Sequence, residues 1–576
     1  MGKTLKALAG ILICLWGVLV ILTGEARSQE DLETRSVIIT SDDIAALKAN
    51  RLADVLNTVP GVSASTSSVS IHGSYKVRVF LDGALLNDPT SSHGGVDFGR
   101  VILSSVDKIE IVTDAGSLSY GQDASGGVIL ITTRELDSTT GRVRAWAGNL
   151  GVFFSEVDAT VSRGAWGIGL RGGYERSDGF KVNNDREKHR VGMSVAWRGE
   201  ELRTVLAADH QTEEQGFSGL PAFPTPHSRQ KNRNFNMNLA VDFRSFKGSA
   251  TLFEGRSENL DPSRNMFQTL RITKGGTDLR YGASLGPMGL DLGTGYEETR
   301  AQSSDFGTRR ENIFHLFGGL KYPLPWIPVE LTFGLRANLN SGFDDSFCPE
   351  AGLIFRTGYF EAGYRYSRAA NTPSFQQRFS RSSSTNPNPS LGIETADNHS
   401  LNLAIVPFDD LSLHLTAYHN TLKGRITYVR AANSAMGRYE NLGRARFTGV
   451  DLGFDWAIAS WVKVKGNVSL IKARDLDLEK DLPSQPKIRS RFEVTLRPLD
   501  GLTIVGSLDH SGPNFTDREN TNKLAGRVLT GLRAEYNIGR YSFFIDSQNL
   551  LDCDYYYVDG LVAPPMTWFA GMGVSF

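Results

Sequence analysis

Cysteine is nearly absent: Cys14, Cys348 and Cys553 are the three in 576 residues. Cys348 and Cys553 lie too far apart to form a metal-ligating pattern or a disulfide framework, so they read as structural or free. Sparse thiol usage agrees with an oxidising envelope compartment. A surplus of charge is missing too. Sixty-two basic residues stand against 63 acidic ones, a net charge of -1, and nothing points to nucleic acid. The hydrophobic fraction of 40% and mean hydropathy of -0.23 exclude a bundle of membrane helices.

Catalytic patterns are also lacking. Ser117, Ser119 and Ser125 sit in a glycine-rich stretch, yet it contains neither a Gly-x-Ser-x-Gly elbow nor a phosphate loop. The ten histidines include no His-Glu-x-x-His pair. The chain therefore reads as neither an enzyme nor a protein with a cofactor or catalytic metal. Asp178, Asn183, Asn184 and Asp185 could offer oxygens to calcium, although solvated loop residues are the plainer reading.

What is abundant is glycine, at 60 residues, with 31 Phe, 17 Tyr and 8 Trp, as suits strands, turns and aromatic girdles. Residues 1–26 carry Lys3 and Lys6, an apolar run from Ala7 to Leu22, and small residues at Gly24 and Ala26. This fits a signal peptide cut after Ala26. Cys14, followed by the bulky Leu15, makes a poor lipoprotein site.

Four stretches follow in order. Leu52-Ala-Asp-Val-Leu-Asn-Thr-Val-Pro-Gly61 predicts a short amphipathic helix, apolar at Leu52, Val55, Leu56 and Val59 and stopped by Pro60-Gly61. Val77-Arg-Val-Phe-Leu-Asp-Gly83, Val106-Asp-Lys-Ile-Glu-Ile-Val112 and Tyr120 to Arg134 predict strands closed by glycine turns. Their wording and order resemble the plug domain of TonB-dependent outer-membrane receptors. The resemblance implies an all-β transmembrane barrel of about 22 antiparallel strands with an N-terminal α+β plug domain inside the lumen. The divisions are a signal peptide over 1–26, a short arm over 27–35, a plug over 36–135 and a barrel over 140–576.

The second part supports a barrel independently. Trp166, Ile168, Leu170 and Tyr174 alternate with Gly167, Gly169, Arg171 and Gly173, and Phe235, Met237, Leu239, Val241 and Phe243 interleave with Asn236, Asn238, Ala240 and Asp242. One lipid face and one lumen face demand this period of two. Short turns at Arg198-Gly-Glu200, Gly286-Pro-Met288 and Asn537-Ile-Gly539 are set against long polar excursions. Those run over Gln211 to Asn232, Asn371 to Gly392, Lys423 to Gly437, Asp475 to Lys487 and Ser511 to Leu524. No fixed repeat of a solenoid or propeller is visible. The last strand, ending on Phe576, resembles the signal read by the outer-membrane assembly machinery, and Asn549-Leu-Leu-Asp552 resembles a word that opens the family's terminal hairpin.

The chain departs from the family in three places. Asp31-Leu-Glu-Thr34 is too polar for the peptide that adds a strand to TonB, and Val37-Ile38-Ile39 is already committed to the plug. His72 and Thr113 stand where the family commonly has arginines that pair with barrel carboxylates. That latch is expected to loosen or to pass to Lys76, Arg78 or Lys108, with compensated drift in a working transporter the favoured reading.

By resemblance the function is TonB-dependent active transport of a scarce nutrient complex across the outer membrane. Cobalamin or another corrinoid is favoured, with a ferric siderophore next. A non-energised plugged surface receptor or adhesin is the reading from another class. The implied partners are TonB with its inner-membrane energising complex, outer-membrane lipid and the small-molecule ligand. The outward apices of the plug, with Ser67, Ser68, Asn87, Asp88, Ser91, Ser92 and His93 as candidate substrate-binding residues, suit a polar, hydrogen-bonding ligand.

Overall fold

The computed structural model describes residues 36–47, 49–91, 94–113, 116–221, 223–382, 385–430, 436–558 and 560–576. The expected signal peptide and arm, together with Ser92 and His93, lie outside the described residues.

The plug is a mixed sheet. Strand Val37–Thr40 lies at one edge, followed by Val106–Val112, Gly127–Thr133, Val77–Leu81 and Ala84–Leu85. Val77–Leu81 runs parallel to Gly127–Thr133, and the remaining pairs are antiparallel. Leu81 turns back to Ala84 through Asp82 (φ 50) and Gly83 (φ 85), the two left-handed residues that a tight hairpin with right-handed twist requires. Helix Leu52–Leu56 turns Leu52, Val55 and Leu56 onto the sheet and ends before Pro60-Gly61, as the spacing predicts. Ile71, Val79, Ile109, Ile111 and Ile129 have no exposed surface at all. At ~1.5–3 kcal/mol for each fully buried aliphatic side chain, these residues give the plug a hydrophobic core of its own.

The wall is a closed antiparallel barrel of 22 strands. It begins at Thr140–Gly148 and ends at Thr567–Ser575, and these two strands pair with each other from Phe569↔Gly148 to Ser575↔Arg142, so no edge is left open. Trp146, Phe154, Phe544 and Phe569 pack together beside this seam. Two-residue strands at Thr385–Asn386 and Lys480–Asp481 are appended to the wall. Outward positions carry Ile168, Leu170, Val191, Met193, Leu206, Met237 and Leu239 exposed, which in water would be a liability and in lipid is the contact surface. Trp326, Tyr359, Phe408 and Trp461 are exposed at or beside short turns along one arc of the wall, where aromatic side chains suit the membrane–water boundary. Among the described residues no helix is long and apolar enough to cross a membrane; the chain crosses with strands.

Two expected loops are largely strand. Leu202–Leu220 and Phe223–Phe243 pair almost to their tip, so Gln211 to Asn232 is a tall hairpin, and Leu411–Arg430 extends through the first part of Lys423 to Gly437. Above the lipid both faces of a strand meet water, so polarity there marks the end of the bilayer and not the end of pairing. Asn371 to Gly392 folds over a short helix, Phe375–Phe379, capped by Ser374.

The oxygen-rich first loop is occupied internally. Asp185 accepts from Arg229 at 2.7 Å, Asn183 donates its amide to the carbonyls of Phe217, Thr225 and Ser228, and Asp178 takes Arg176 at 3.2 Å. Cys348 is buried, Cys553 is exposed, and both are free.

Candidate functional site

The outward plug apices come together, because Val96 N–H donates to Ser67 O at 3.0 Å. Most of their side chains are engaged in holding the turns. Asn87 bridges the backbone of Val77 and Val79, Asp88 accepts from both the amide and the hydroxyl of Thr90, and Ser91 accepts from Gly95 N–H. Ser68 shares a hydroxyl contact with Ser65 at 2.8 Å. Among the described candidates Ser67 and Asp88 are exposed, while Ser68, Asn87 and Ser91 are half-buried.

The larger constellation is a ring of polar contacts between plug and wall, and sequence patterns gave little sign of it. Asp97 lies 3.0 Å from Lys188 Nζ and accepts from Gln211 at 2.6 Å. Burial alone would raise the Asp97 carboxyl, but the Lys188 ammonium and the Gln211 hydrogen bond outweigh it and hold the group down at about 2. A little further round, Arg190 donates to Gly99 O at 2.5 Å, and Asn238 donates to Asp82 O.

Asp123 accepts from Thr372 N–H at 2.9 Å and Thr372 Oγ1 at 2.6 Å and pairs with Lys76 at 3.0 Å, while Lys76 also donates to Thr372 O. Arg78 lies 3.4 Å from wall residue Glu297, which also binds Lys274 at 2.7 Å. Wall arginines Arg280 and Arg336 donate to the carbonyls of Ser119 and Leu118. On the remaining side Ser469 accepts from Gly61 N–H at 2.8 Å, Asn467 donates to Thr58 O, and Gln485 donates to Gly73 O.

His72 keeps the latch that its place in the sequence put in question. Ile71-His72-Gly73-Ser74 is a tight turn with φ 50 at His72 and φ 78 at Gly73, and histidine is among the side chains that tolerate this left-handed conformation. The turn aims the imidazole into the wall, where Nε2 lies 2.9 Å from Asp451 Oδ2 and the ring stacks on Tyr418 at 3.9 Å. Lys76 and Arg78 each take other partners, and Lys108 pairs within the plug with Glu110 at 3.8 Å. Of the three expected substitutes only Arg78 reaches a wall carboxylate, Glu297; Lys76 pairs with the plug's own Asp123 and touches the wall through the Thr372 carbonyl, while His72 keeps a wall carboxylate of its own.

A pore of this size is sealed by a separately folded body, and that body is fixed by bonds that can be broken and remade in water. Residues 113–550 match the family described as TonB dependent receptor-like, beta-barrel, and residues 28–128 match the TonB-dependent Receptor Plug Domain. The chain belongs to the TonB-dependent receptors. As a member it is an outer-membrane protein of a transporter and receptor family. Among relatives of this receptor, the Vitamin B12 transporter BtuB of Photobacterium profundum is 22% identical, covering 90% of this chain and 88% of the relative. The iron-regulated outer membrane virulence protein of Vibrio cholerae serotype O1 is 24% identical over 72% of this chain and 69% of its own. A mutant form of the ferric enterobactin receptor PfeA of Pseudomonas aeruginosa superposes with a TM-score of 0.80 at 17% identity, covering 94% of this receptor and 98% of that chain. The siderophore receptor PirA of Acinetobacter baumannii gives 0.80 at 15% identity, over 94% and 98%.

Proposed function

We propose that this receptor imports a scarce nutrient complex across the outer membrane, with a corrinoid the favoured cargo. Ligand settles on the plug apices around Ser67, Ser68, Asn87, Asp88, Ser91, Ser92 and His93, TonB with its inner-membrane energising complex pulls on the N-terminal side of the plug, and the plug yields a path. The observation that carries the transport reading is the polar ring around an independently cored plug: each contact is a hydrogen bond or ion pair that water can replace when the plug moves. The corrinoid choice is supported by the near full-length likeness to a B12 transporter.

A ferric siderophore is the second reading. It is favoured by the likeness to an iron-regulated outer membrane virulence protein and, over nearly the whole fold, to ferric enterobactin and siderophore receptors. Thermal unfolding of the purified receptor with cyanocobalamin or with a ferric catecholate separates the two, since only the cognate ligand raises the transition by mass action. Uptake of that ligand should disappear in cells lacking TonB. Unchanged uptake there would leave a non-energised plugged receptor in place of an active transporter.

A further inference from the structure

Two histidines of the wall face away from the plug and take no part in holding it. His399 on strand Glu394–Phe408 and His419 on strand Leu411–Arg430 stand directly opposite each other in register. Glu394, Ala396, Asn398 and Ser400 are buried on the lumen face, which puts His399 on the outside, and Tyr418 points inward to His72, which does the same for His419. The pair lies just beyond the apolar pairs Leu401↔Ala417, Leu403↔Leu415 and Ile405↔Leu413, at the end away from the short turn that joins the two strands. Residues opposed in this way have Cβ atoms about 5 Å apart, close enough for both rings to reach one ligand between them.

The two rings are held from opposite sides. Tyr364, on the flanking strand Phe360–Asn371, shares a hydrogen bond of 2.8 Å with His399 Nδ1. Thr448, on the other flanking strand, Gly437–Ala459, shares one of 3.0 Å with His419 Nδ1. An imidazole carries Nδ1 and Nε2 on opposite edges, so anchoring each Nδ1 toward its flanking strand turns each Nε2 edge toward the space between the histidines. Among the described residues neither Nε2 has a hydrogen-bond partner or an ion pair. The Tyr366 ring lies 5.2 Å from His399 and donates its hydroxyl to Asp397 at 3.2 Å. Asp397 also takes Arg368 at 2.8 Å and Lys423 at 3.3 Å, so these two cations carry a counter-charge of their own.

We infer that His399 and His419 bind a transition-metal cation of the zinc, copper(II) or nickel class through their Nε2 atoms. Imidazole nitrogen is a donor those cations favour, whereas calcium and magnesium need oxygen ligands. The two hydroxyls fit the same reading: with Nε2 on the metal, Nδ1 carries the ring proton and donates it to Tyr364 or Thr448, which fixes tautomer and ring orientation. Among the described residues no three His, Cys, Asp or Glu side chains form a metal-holding group, so the protein supplies two ligands and water completes the shell. Such a cation is exchangeable, and while bound it clamps Glu394–Phe408 to Leu411–Arg430.

The test uses the full receptor without an affinity tag, purified in neutral detergent, stripped with a chelator and titrated with zinc chloride. A single site of micromolar affinity is expected. His399→Gln and His419→Gln should each weaken it about tenfold or more, and Tyr364→Phe, which removes only an orienting hydroxyl, by a smaller factor. His227→Gln, exposed on the tall hairpin, should leave it unchanged. The paramagnetic resonance spectrum of the copper(II) form should show two coupled imidazole nitrogens in the unmodified receptor and one in either histidine variant. Heat-modifiable gel mobility confirms that each variant is a folded barrel. No zinc binding by the unmodified receptor, or undiminished affinity in both histidine variants, would overturn the proposal. Displacement of zinc by millimolar calcium would overturn the metal class.

Discussion

His72 and Asp451 belong to different bodies of the protein and lie 379 positions apart in the chain, yet their side chains approach to 2.9 Å, both almost fully buried. Tyr418 covers the imidazole from the wall side. Removing one member strands the other without water. His72→Ala and Asp451→Ala should each weaken plug docking by about 2–3 kcal/mol, and the double variant should cost less than their sum. Protease protection of the plug measures this, and strict additivity would show that the two residues do not interact.

Gly61 touches the same pair from the plug side. Its φ is +76, and a Cβ there would stand 2.3 Å from Asp451 Oδ2 and 2.8 Å from the His72 ring. Gly61→Ala should therefore unseat the plug more than either single removal, combining backbone strain of ~1 kcal/mol or more with the clash. Increased entry of large antibiotics into cells carrying the variant is the readout.

Asp97 gives a prediction with a pH signature. Its carboxyl is lowered on docking from an ordinary 3.8 to about 2, so its contribution is fully present above pH ~4 and is lost as pH falls through about 2. Asp97→Asn should lower plug stability by on the order of 2 kcal/mol, constant between pH 5 and 8. The gap from wild type should close between pH ~4 and ~2. Thermal unfolding across that range tests it, and a deficit that changed between pH 5 and 8 would contradict the assignment.

The two barrel thiols make a native reporter. Cys553 is exposed and should react with a water-soluble disulfide reagent promptly, whereas Cys348, 2% exposed on the inner wall, should react only when the plug is displaced or the barrel unfolds. Prompt labelling of both would mean that the plug is not seated as described.

Alternation along Trp166 to Tyr174 and Phe235 to Phe243 was enough to read the barrel, because lipid and lumen impose opposite demands on neighbouring residues. The plug was legible through its turns and through Leu52, Val55 and Leu56. The ring was not. Asp123 with Thr372, or Arg78 with Glu297, joins positions hundreds of residues apart whose only local sign is a polar residue on a lumen face, and every such face is polar. The Asx-type engagement of Asp88 with Thr90 hid in plain view, because this side chain favours local backbone bonds, whereas Asn87 reaches back to the strand backbone at Val77 and Val79, which no local pattern announces.

Strand Val37–Thr40 lies at the rim of the plug sheet, its first residue opposite Ile111. A tether attached ahead of Val37 would load that terminal rung before any other. A pull directed across the strands would then open the ladder like a zip, rung after rung, without the whole strain falling on it at once. Small forces, sustained, would suffice to start it, and relaxation would let it close again from the far end.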